Sequence, residues 1–505
     1  MRFRHGVLFL VVLALAASCS DDTTVAETTT DTSGDGDGDP RTGGDGDGDG
    51  DGEPTTTGDG DGDPSGDGDG EPPTGDGDGE PAGDGDGEPA TGDGDGDPDD
   101  PSAECDARAI EPYAGPLCGP DELPCQLVAD QELSPPTFRN GLPSLGLGSE
   151  CRPHLLFADG PGVVYGRYND GWQLEPAPAD ALSGAMVVDP ETEVAVVALN
   201  EGAHVISTWT LDGEWTQHAG LEGSVLARGL VRSPSGSALA AYVDEGELSY
   251  GTFDGQNWVL LPQGGDFLHA NIGVSRVGQA HIVGWSDAAG WQLVWDRPGM
   301  LGGQTIVDYG SNSLAEDQVA IAILGGDQDA PLGQPHLLHA LAEPEPDDGI
   351  RLAYSVRIGP DSWTTEAFAD EEVTNGCNLP PPDADSQCNY DTVELHPLGV
   401  VTSESGEVRL LWSRIHRLWT LGGECIDGDC FWVPTDDASV GELWISWPTD
   451  EGIESALVGE SFAEKAALAL DPGGRIHVLT YDRRMQGGVD EGPSIHYFRI
   501  EPESP

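Results

Sequence analysis

Three stretches decide the fold: residues 163–172 read VVYGRYNDGW, 204–215 read HVISTWTLDGEW, and 248–258 read LSYGTFDGQNW. In each stretch, residues alternate as in a half-buried strand, an Asp-Gly pair follows, and a tryptophan comes soon after it. The three closing tryptophans lie 43 residues apart. A period of this length indicates a structural unit that is repeated along the chain.

The repeated unit contains four short strands. Further β-rich runs, at 194–199 and 238–243, precede the second and third stretches. The order is therefore strand, strand, strand, Asp-Gly turn, and a last strand that begins near the tryptophan. Four short strands in roughly 40 to 45 residues are typical of one blade of a β-propeller.

Residues 142–176 form the first unit, and the stretches at 204–215 and 248–258 belong to the second and third. Four later segments carry the pattern in weaker form, which makes seven units in all. The later segments are 269–309, 319–368, 395–458 and 466–500. We predict an all-β protein, a β-propeller of seven four-stranded blades, with six or eight blades as the alternatives. The last unit ends after three strands, so a strand at 125–133 is expected to complete it and close the ring.

One later motif supports this architecture. Residues 471–478 read DPGGRIHV, which resembles the loose D-x-x-G-x-hydrophobic-x-hydrophobic repeats of extracellular β-propellers. The resemblance covers residues 140–500 and implies the fold alone, because propellers host many unrelated activities. Strict sialidase Asp-boxes and WD40 signatures are absent from the sequence.

The N-terminus has the composition of a secretory signal. A basic start precedes an apolar run at 7–17, which is too short for a bilayer that needs about 20 residues. The following Ala16-Ala17-Ser18-Cys19 resembles the lipobox of bacterial lipoprotein precursors, although Ala16 stands where leucine is commonest. The resemblance implies cleavage before Cys19 and fatty-acyl (palmitate-type) lipidation of that residue; an ordinary signal peptide is the alternative. Ser20 implies the outer membrane or cell surface of a Gram-negative bacterium, with the membrane as a partner through lipid.

A long acidic segment follows the signal. Residues 20–104 contain 30 acidic residues and one basic residue, Arg41, among Gly, Pro and Thr. Such a segment cannot bury enough apolar surface to offset its ordering entropy, so we predict a disordered tether. The predicted organisation is therefore signal 1–18, tether 19–104, cysteine-containing segment 105–140 and propeller 141–505.

The tether matches a calcium loop only in part. Residues 45–50 fit the first half of an EF-hand loop, but Thr56 stands at its twelfth position. Residues 93–104 have the final Glu, but Pro98 replaces the required glycine. We therefore predict no specific metal site and no cofactor.

The formal net charge is −71, and Lys465 is the only lysine. A protein this acidic repels nucleic acid and anionic membrane surfaces, so we expect no nucleic-acid partner and contact with the membrane only through the lipid. We expect a soluble monomer whose ligand is a glycan or a protein.

Eight cysteines remain after Cys19, and an even number beyond an export signal indicates disulfides. We predict local pairing of Cys377 with Cys388 and of Cys425 with Cys430. Zinc is the alternative, but no C-x-x-C pair is present. Three connectivities stay open for the other four cysteines, which are Cys105, Cys118, Cys125 and Cys151.

The long insertions fall at selected positions of the blades. If the strands of a blade are named a to d from the centre outward, the b–c and d–a connections emerge on one face. The insertion at 370–392 is a d–a connection, and those at 343–349, 414–441 and 482–493 are b–c connections. All four are therefore expected on one face, over blades 5 to 7. Long connections in a compact domain are usually functional.

This face also concentrates arginines and aromatic residues, which together can clamp a sugar or an acidic peptide. The alternative is that the tryptophans only pack the loops and that the arginines neutralise nearby acids. Those acids are Glu424, Asp427, Asp429, Asp436 and Asp437. The candidate ligand-binding residues are Tyr390, Arg414, Arg417, Trp419, Phe431, Trp432, Arg483 and Arg484.

The first functional hypothesis is a surface-displayed binding module for a glycan or a protein. A hydrolase or lyase for extracellular polysaccharide is the second, and a scaffold without a small ligand is the third. Glycosidases need two carboxyls about 5 to 9 Å apart, but acids are too abundant here to discriminate. No signature of nucleophilic or metal-dependent catalysis is present, so no catalytic residue is predicted. Four strand-located histidines are expected to be structural: His204, His281, His339 and His477.

Overall fold

The fold is that of a computed structural model. The described residues are 115–120, 123–134, 142–159, 162–202, 204–226, 228–286, 291–299, 303–310, 319–325, 333–342, 350–371, 383, 385–426, 429–486 and 489–503. Cys19, the predicted tether, Cys105 and Cys377 lie outside them. Within the described residues, no helix has the length and apolar character needed to cross a membrane.

Strands form seven separate antiparallel sheets. The first strand, β1 (Cys125–Ser134), belongs to the last blade. Blade 1 has β2 (Ser144–Leu147), β3 (Pro153–Asp159), β4 (Gly162–Tyr168) and β5 (Trp172–Pro176), with a 3-10 turn at Ser149–Cys151. Blade 2 has β6 (Ser183–Val188), β7 (Ala195–Asn200), β8 (Val205–Asp212) and β9 (Glu214–Glu222). Blade 3 has β10 (Leu230–Arg232), β11 (Ala238–Asp244), β12 (Glu247–Phe253) and β13 (Trp258–Asp266).

The later blades follow the same order. Blade 4 has β14 (His269–Val274), β15 (Ala280–Ser286), β16 (Trp291–Asp296) and β17 (Gln304–Gly310). Blade 5 has β18 (Val319–Leu324), β19 (Gln334–Ala342), β20 (Ile350–Gly359) and β21 (Ser362–Glu371). Blade 6 has β22 (Gln387–Thr402), β23 (Val408–Ile426), β25 (Val440–Thr449) and β26 (Gly452–Gly459), with an additional β24 (Asp429–Asp437) paired to β23. Blade 7 has β27 (Ala463–Leu470), β28 (Ile476–Gln486), β29 (Val489–Pro502) and then β1.

The ring is closed by the N-terminal strand. β1 pairs antiparallel with β29, with Cys125 opposite Pro502 and Leu127 opposite Ile500. The predictions of a seven-bladed propeller and of closure by a strand at 125–133 are therefore confirmed. The alternatives of six or eight blades are excluded by the sheet topology.

The repeated tryptophans join neighbouring blades. Trp172 lies edge-on to Tyr497 of blade 7 at 5.0 Å between ring centroids, and Trp215 lies edge-on to Tyr165 of blade 1 at 5.4 Å. Their indole N–H groups, and that of Trp258, donate to the preceding blade; the acceptors are Gln131 Oε1, Glu175 Oε1 and Thr208 Oγ1. The repeat seen in the sequence is therefore an inter-blade contact, which explains why one unit cannot bury its own face.

Buried histidine–tyrosine pairs fill the interior of several blades. The Nδ1 atoms of His154, His336 and His477 lie 2.6, 2.5 and 2.7 Å from the hydroxyl oxygens of Tyr165, Tyr354 and Tyr497. The expectation that His281, His339 and His477 are core residues is confirmed, since all three are buried. His204 is different: it precedes β8 and its side chain is 65% exposed.

The D-x-x-G motif forms the hairpin between strands a and b. In blade 7, Asp471 Oδ1 accepts hydrogen bonds from the backbone N–H groups of Gly473 and Arg475, at 2.8 and 2.9 Å. Gly474 has a φ of +81°, a conformation that favours glycine. Serine takes the place of the aspartate in blades 3, 4 and 6, at Ser233, Ser275 and Ser403.

Candidate functional site

The blade 6 insertion is built from strands, whereas residues 343–349 and 372–382 of the other predicted insertions lie outside the described residues. The b–c connections of blades 5, 6 and 7 and the d–a connection between blades 5 and 6 share one face by topology. β22 and β23 run on past the blade, and β24 pairs with the far half of β23. We call residues 387–396, 414–426 and 429–437 the blade-6 extension.

The sequence contained a signal for this extension. Asp427-Gly428 between two apolar-rich runs is a strong pattern for a two-residue hairpin. Length alone instead indicates a loop for the insertion at 414–441. Strand pairing satisfies the backbone donors and acceptors that a long exposed loop would leave to water.

One disulfide joins the two strands at the end of the blade-6 extension, and others lie elsewhere in the chain. Cys425 and Cys430 are directly opposite each other on β23 and β24 and form the predicted bond, with a Cα–Cα distance of 4.1 Å. Among the connectivities left open, the structure has Cys118–Cys125. Cys151 and Cys388 are disulfide-bonded too. The pairing of Cys388 with Cys377 stays a prediction because Cys377 lies outside the described residues.

A buried ionic network holds the base of the extension. The side chain of Arg417 is only 5% exposed; its Nε donates to Glu394 Oε1 at 2.9 Å and its Nη2 donates to Glu464 Oε1 at 2.7 Å. Its Nη1 lies 3.5 Å from the Arg483 carbonyl oxygen of β28. Arg417 therefore ties the blade-6 extension to blade 7.

The ionisation of Glu394 follows from this network. Burial by itself would raise its pKa, but hydrogen bonds from His396 and Arg417 and their charges outweigh it and hold the pKa down at about 2. Glu394 is therefore a carboxylate at neutral pH. A group with this pKa is a poor general acid, because a general acid must carry a proton near the working pH.

Two further contacts lie beside the network. Arg414 Nη1 is 3.5 Å from Glu442 Oε2, which also accepts a hydrogen bond from the indole of Trp444 at 3.2 Å. His416 Nε2 is 2.7 Å from Asp391 Oδ1. Arg414 and Arg417 are therefore paired with acids, Arg414 with Glu442 and Arg417 with Glu394 and Glu464. The side chains of Asp427, Asp429, Asp436 and Asp437 lie outside the described part, so neutralisation by these acids stays a prediction.

The two candidate tryptophans lie on one side of the extension. Trp419 and Gly423 are four residues apart on β23, and Trp432 is directly opposite Gly423 on β24. Because side chains alternate along a strand, Trp419 and Trp432 share a side, separated by roughly 13 Å along it. Both are half-buried, and the Arg417 guanidinium lies 5.9 Å from the Trp419 ring centroid.

The structure describes the remaining candidate ligand-binding residues only in part. Arg483 is half-buried on β28 and joins the network through its carbonyl oxygen. Tyr390 pairs with Trp419 in register on β22, Phe431 pairs with Glu424 on β24, and Arg484 lies on β28. The side chains of these last three lie outside the described part, so their ligand contacts stay predictions.

The N-terminal part of the described chain lies on the opposite face. Arg409 Nη2 donates to the Leu117 carbonyl oxygen at 2.7 Å, and Ser405 Oγ donates to the Gly115 carbonyl oxygen at 3.1 Å. Ser405 belongs to the a–b turn of blade 6, which emerges opposite the insertion face. β1 then runs across blade 7 and ends at Ser134, towards the insertion face.

An arginine that no sequence pattern singles out lies at the centre of the ring. A cavity of about 520 Å³ is lined by strand a of all seven blades. Arg228 precedes β10 at the insertion-face end of this channel. Its guanidinium donates to the carbonyl oxygens of Val319 (2.7 Å), Ala466 (2.9 Å) and Leu398, which belong to blades 5, 7 and 6. Arg228 therefore crosses the channel and links blade 3 to the blades on the far side.

Within the described residues, no group of three or more His, Cys, Asp or Glu side chains is arranged to hold a metal ion. The described part of the insertion face carries arginine–carboxylate pairs and two half-buried tryptophans.

The chain is similar to several solved structures at low sequence identity. No family model and no curated protein matches it. Similar solved structures include virginiamycin B lyase from Staphylococcus aureus (TM-score 0.39, 10% identity, covering 75% of this chain and 99% of that one). A mutant of the Aleuria aurantia lectin with Fucα1-6GlcNAc has a TM-score of 0.34 and 11% identity, covering 63% and 96%. YCF48 bound to D1 peptide has a TM-score of 0.39 and 13% identity, covering 77% and 100%. Likeness at these values carries no information on ligand or reaction.

Proposed function

We propose that this protein is a surface-displayed lipoprotein whose propeller binds an extracellular ligand, a glycan or a protein, on the insertion face. The observation that carries the proposal is the blade-6 extension. Arg417 fixes it at the base, and Cys425–Cys430 joins its two strands at the tip. A rigid surface binds with a smaller loss of conformational entropy than a mobile loop.

Glu394 is held by Arg417 and His396 and is unsuited to be the general acid of a hydrolase, because its pKa is about 2. Trp419 and Trp432 share one side of the extension, where ring faces suit the C–H faces of a sugar or the side chains of a protein.

The composition of residues 20–104 supports display at a distance from the membrane. A long acidic tether suits a domain that reaches outward, because its charges repel one another and extend it.

The binding part of the proposal is tested with the full chain on a glycan array and against extracellular proteins. Trp432→Ala should abolish binding that the wild type shows, whereas Trp432→Phe should retain most of it. Leu260→Ala is a control, since Leu260 is exposed on the outer strand of blade 3, away from the extension. Binding unaffected by Trp432→Ala, or release of shortened glycan by the wild type, would contradict the proposal.

The display part has a separate test. Cys19→Ala should release the protein from membranes or leave the precursor uncleaved, as followed by fractionation and by metabolic labelling with palmitate. Ser18→Ala keeps a small residue before the cleavage point and should leave lipidation intact. Membrane retention and labelling that survive Cys19→Ala would show that Cys19 is not the anchor.

A further inference from the structure

Two blades share a histidine–arginine pair beside the histidine–tyrosine contact. In blade 7, His477 of strand b is opposite Arg499 of strand c. In blade 1, the equivalent residues His154 and Arg167 are opposite each other. His154, His477 and Arg499 are buried near the a–b turn, whereas Arg167 is exposed.

Blade 2 has smaller side chains at the equivalent positions. They are Val196 and Thr210, which are opposite each other on β7 and β8. Both line a cavity of about 490 Å³ between blades 2 and 3. One junction earlier, Arg167 lines a cavity of only about 110 Å³. The junction between blades 2 and 3 therefore offers the larger space, with small side chains in its wall.

The walls of this cavity carry charges of both signs. Asp189, Asp212 and Asp254 line it together with Arg232. Arg232 Nη2 donates to Asp189 Oδ1 at 3.0 Å, and its side chain remains 24% exposed. Asp254 Oδ1 accepts backbone N–H groups at 2.9 and 2.7 Å, which holds that carboxylate in place.

This chemistry selects a class of ligand. Three carboxylates against one guanidinium repel anions. An ammonium group can donate to the carboxylates but offers Arg232 no acceptor, whereas a hydroxyl both donates and accepts. Val188, Val196 and Phe253 add an apolar wall against which the C–H face of a ring can lie.

We propose that the cavity between blades 2 and 3 is a binding site for a neutral sugar unit. Its hydroxyls donate to the carboxylates of Asp212 and Asp254 and accept from the Arg232 guanidinium. The cavity is formed by a–b and c–d turns, so it opens on the face opposite the blade-6 extension. It is therefore separate from the insertion face, and each site can fail its test without affecting the other.

The test measures saturable binding of neutral methyl glycosides with gluco, manno, galacto and fuco configurations to the full chain by isothermal titration calorimetry. At least one is expected to bind with a Kd of about millimolar. Thr210→Arg places in blade 2 the residue found in blade 1 and should weaken binding at least about tenfold. Thr252→Arg is the matched control, because Thr252 holds the equivalent position on β12 of blade 3 and does not line the cavity.

A second variant guards against misfolding. Asp212→Asn keeps the volume and removes one carboxylate, and it should also weaken binding several-fold while the thermal unfolding midpoint is unchanged. Three results would overturn the proposal: no saturable binding of any glycoside at about 50 mM, equal binding by Thr210→Arg, or tight binding of putrescine in place of the glycosides.

Discussion

Blade 7 and blade 2 have the same strand order, and in both an aspartate opens the a–b turn, but the turn of blade 2 is one residue longer and the interiors differ. In blade 7 the turn residue Asp471 is wholly buried, and its Oδ2 lies 2.6 Å from Arg475 Nε and 3.2 Å from His477 Nε2. In blade 2 the equivalent Asp189 is 26% exposed and faces an open cavity beside Arg232. Equivalent backbone positions can therefore be a filled core in one blade and a cavity wall in another.

The difference indicates which blades of a repeat fold can accommodate a binding site. Blade 7 must capture β1 from the far end of the described chain, and its buried network fixes β28 and β29, to which β1 pairs. The four strands of blade 2 are consecutive in sequence and pair with one another. Its interior can lose large side chains at a smaller cost to the ring, which leaves room for a ligand.

The largest expected effect is the loss of the buried aspartate. Asp471→Ala leaves Arg475 and His477 without their carboxylate inside the blade, so we expect the free energy of unfolding to fall by about 3–5 kcal/mol. Asp189→Ala, at the same turn position in blade 2, should cost about 1 kcal/mol or less, because that pair is partly solvated. Urea denaturation measures both, and equal losses would refute the contrast between the blades.

The next effect is a dependence on pH from buried histidines, a kind of residue that the described part of blade 2 lacks. Burial lowers the pKa of His154 and of His336 to about 4, against about 6.5 in an unfolded chain. Because the folded form binds the proton less readily, stability is complete above about pH 6.5 and is lost as the pH falls towards 4, by about 3 kcal/mol for each residue. His154→Gln should remove its share of this slope in urea titrations between pH 7 and 4.

The exposed His204, which precedes β8 of blade 2, is the control for that measurement. His204→Gln makes the same substitution at a side chain that is 65% exposed and should not reproduce the change seen in His154→Gln. A profile of the same steepness in His154→Gln would show that the buried histidine does not cause it.

A smaller effect concerns the tyrosine hydroxyl of strand c. Tyr497→Phe removes the partner of His477 Nδ1, 2.7 Å away, and should cost about 1–2 kcal/mol because that nitrogen stays buried. Blade 2 has Thr208 at this position, so the matched tyrosine is Tyr250 of blade 3, which stands beside Leu239 instead of a histidine. Tyr250→Phe should cost less than about 0.5 kcal/mol in the same measurement, and a cost like that of Tyr497→Phe would count against the histidine contact.

Part of this molecule was predictable from local patterns. The alternation before each Asp-Gly pair predicted strands c and d, and the spacing of Trp172, Trp215 and Trp258 predicted the blades. The short separation of Cys425 and Cys430 predicted their disulfide, and the position of the insertions predicted one crowded face. Each of these features depends on residues close in sequence or on a regular period.

The remaining features depend on contacts between distant segments. The sequence by itself determined a ring of four-stranded units, because the periods of strand and repeat are properties of the chain. Three features follow only from the folded arrangement. Arg417 is buried between Glu394 and Glu464, and Arg228 crosses the channel to three far blades. Val196 and Thr210 line a cavity. The physical reason is that burial, ion pairing and empty volume arise only when side chains from separate blades meet.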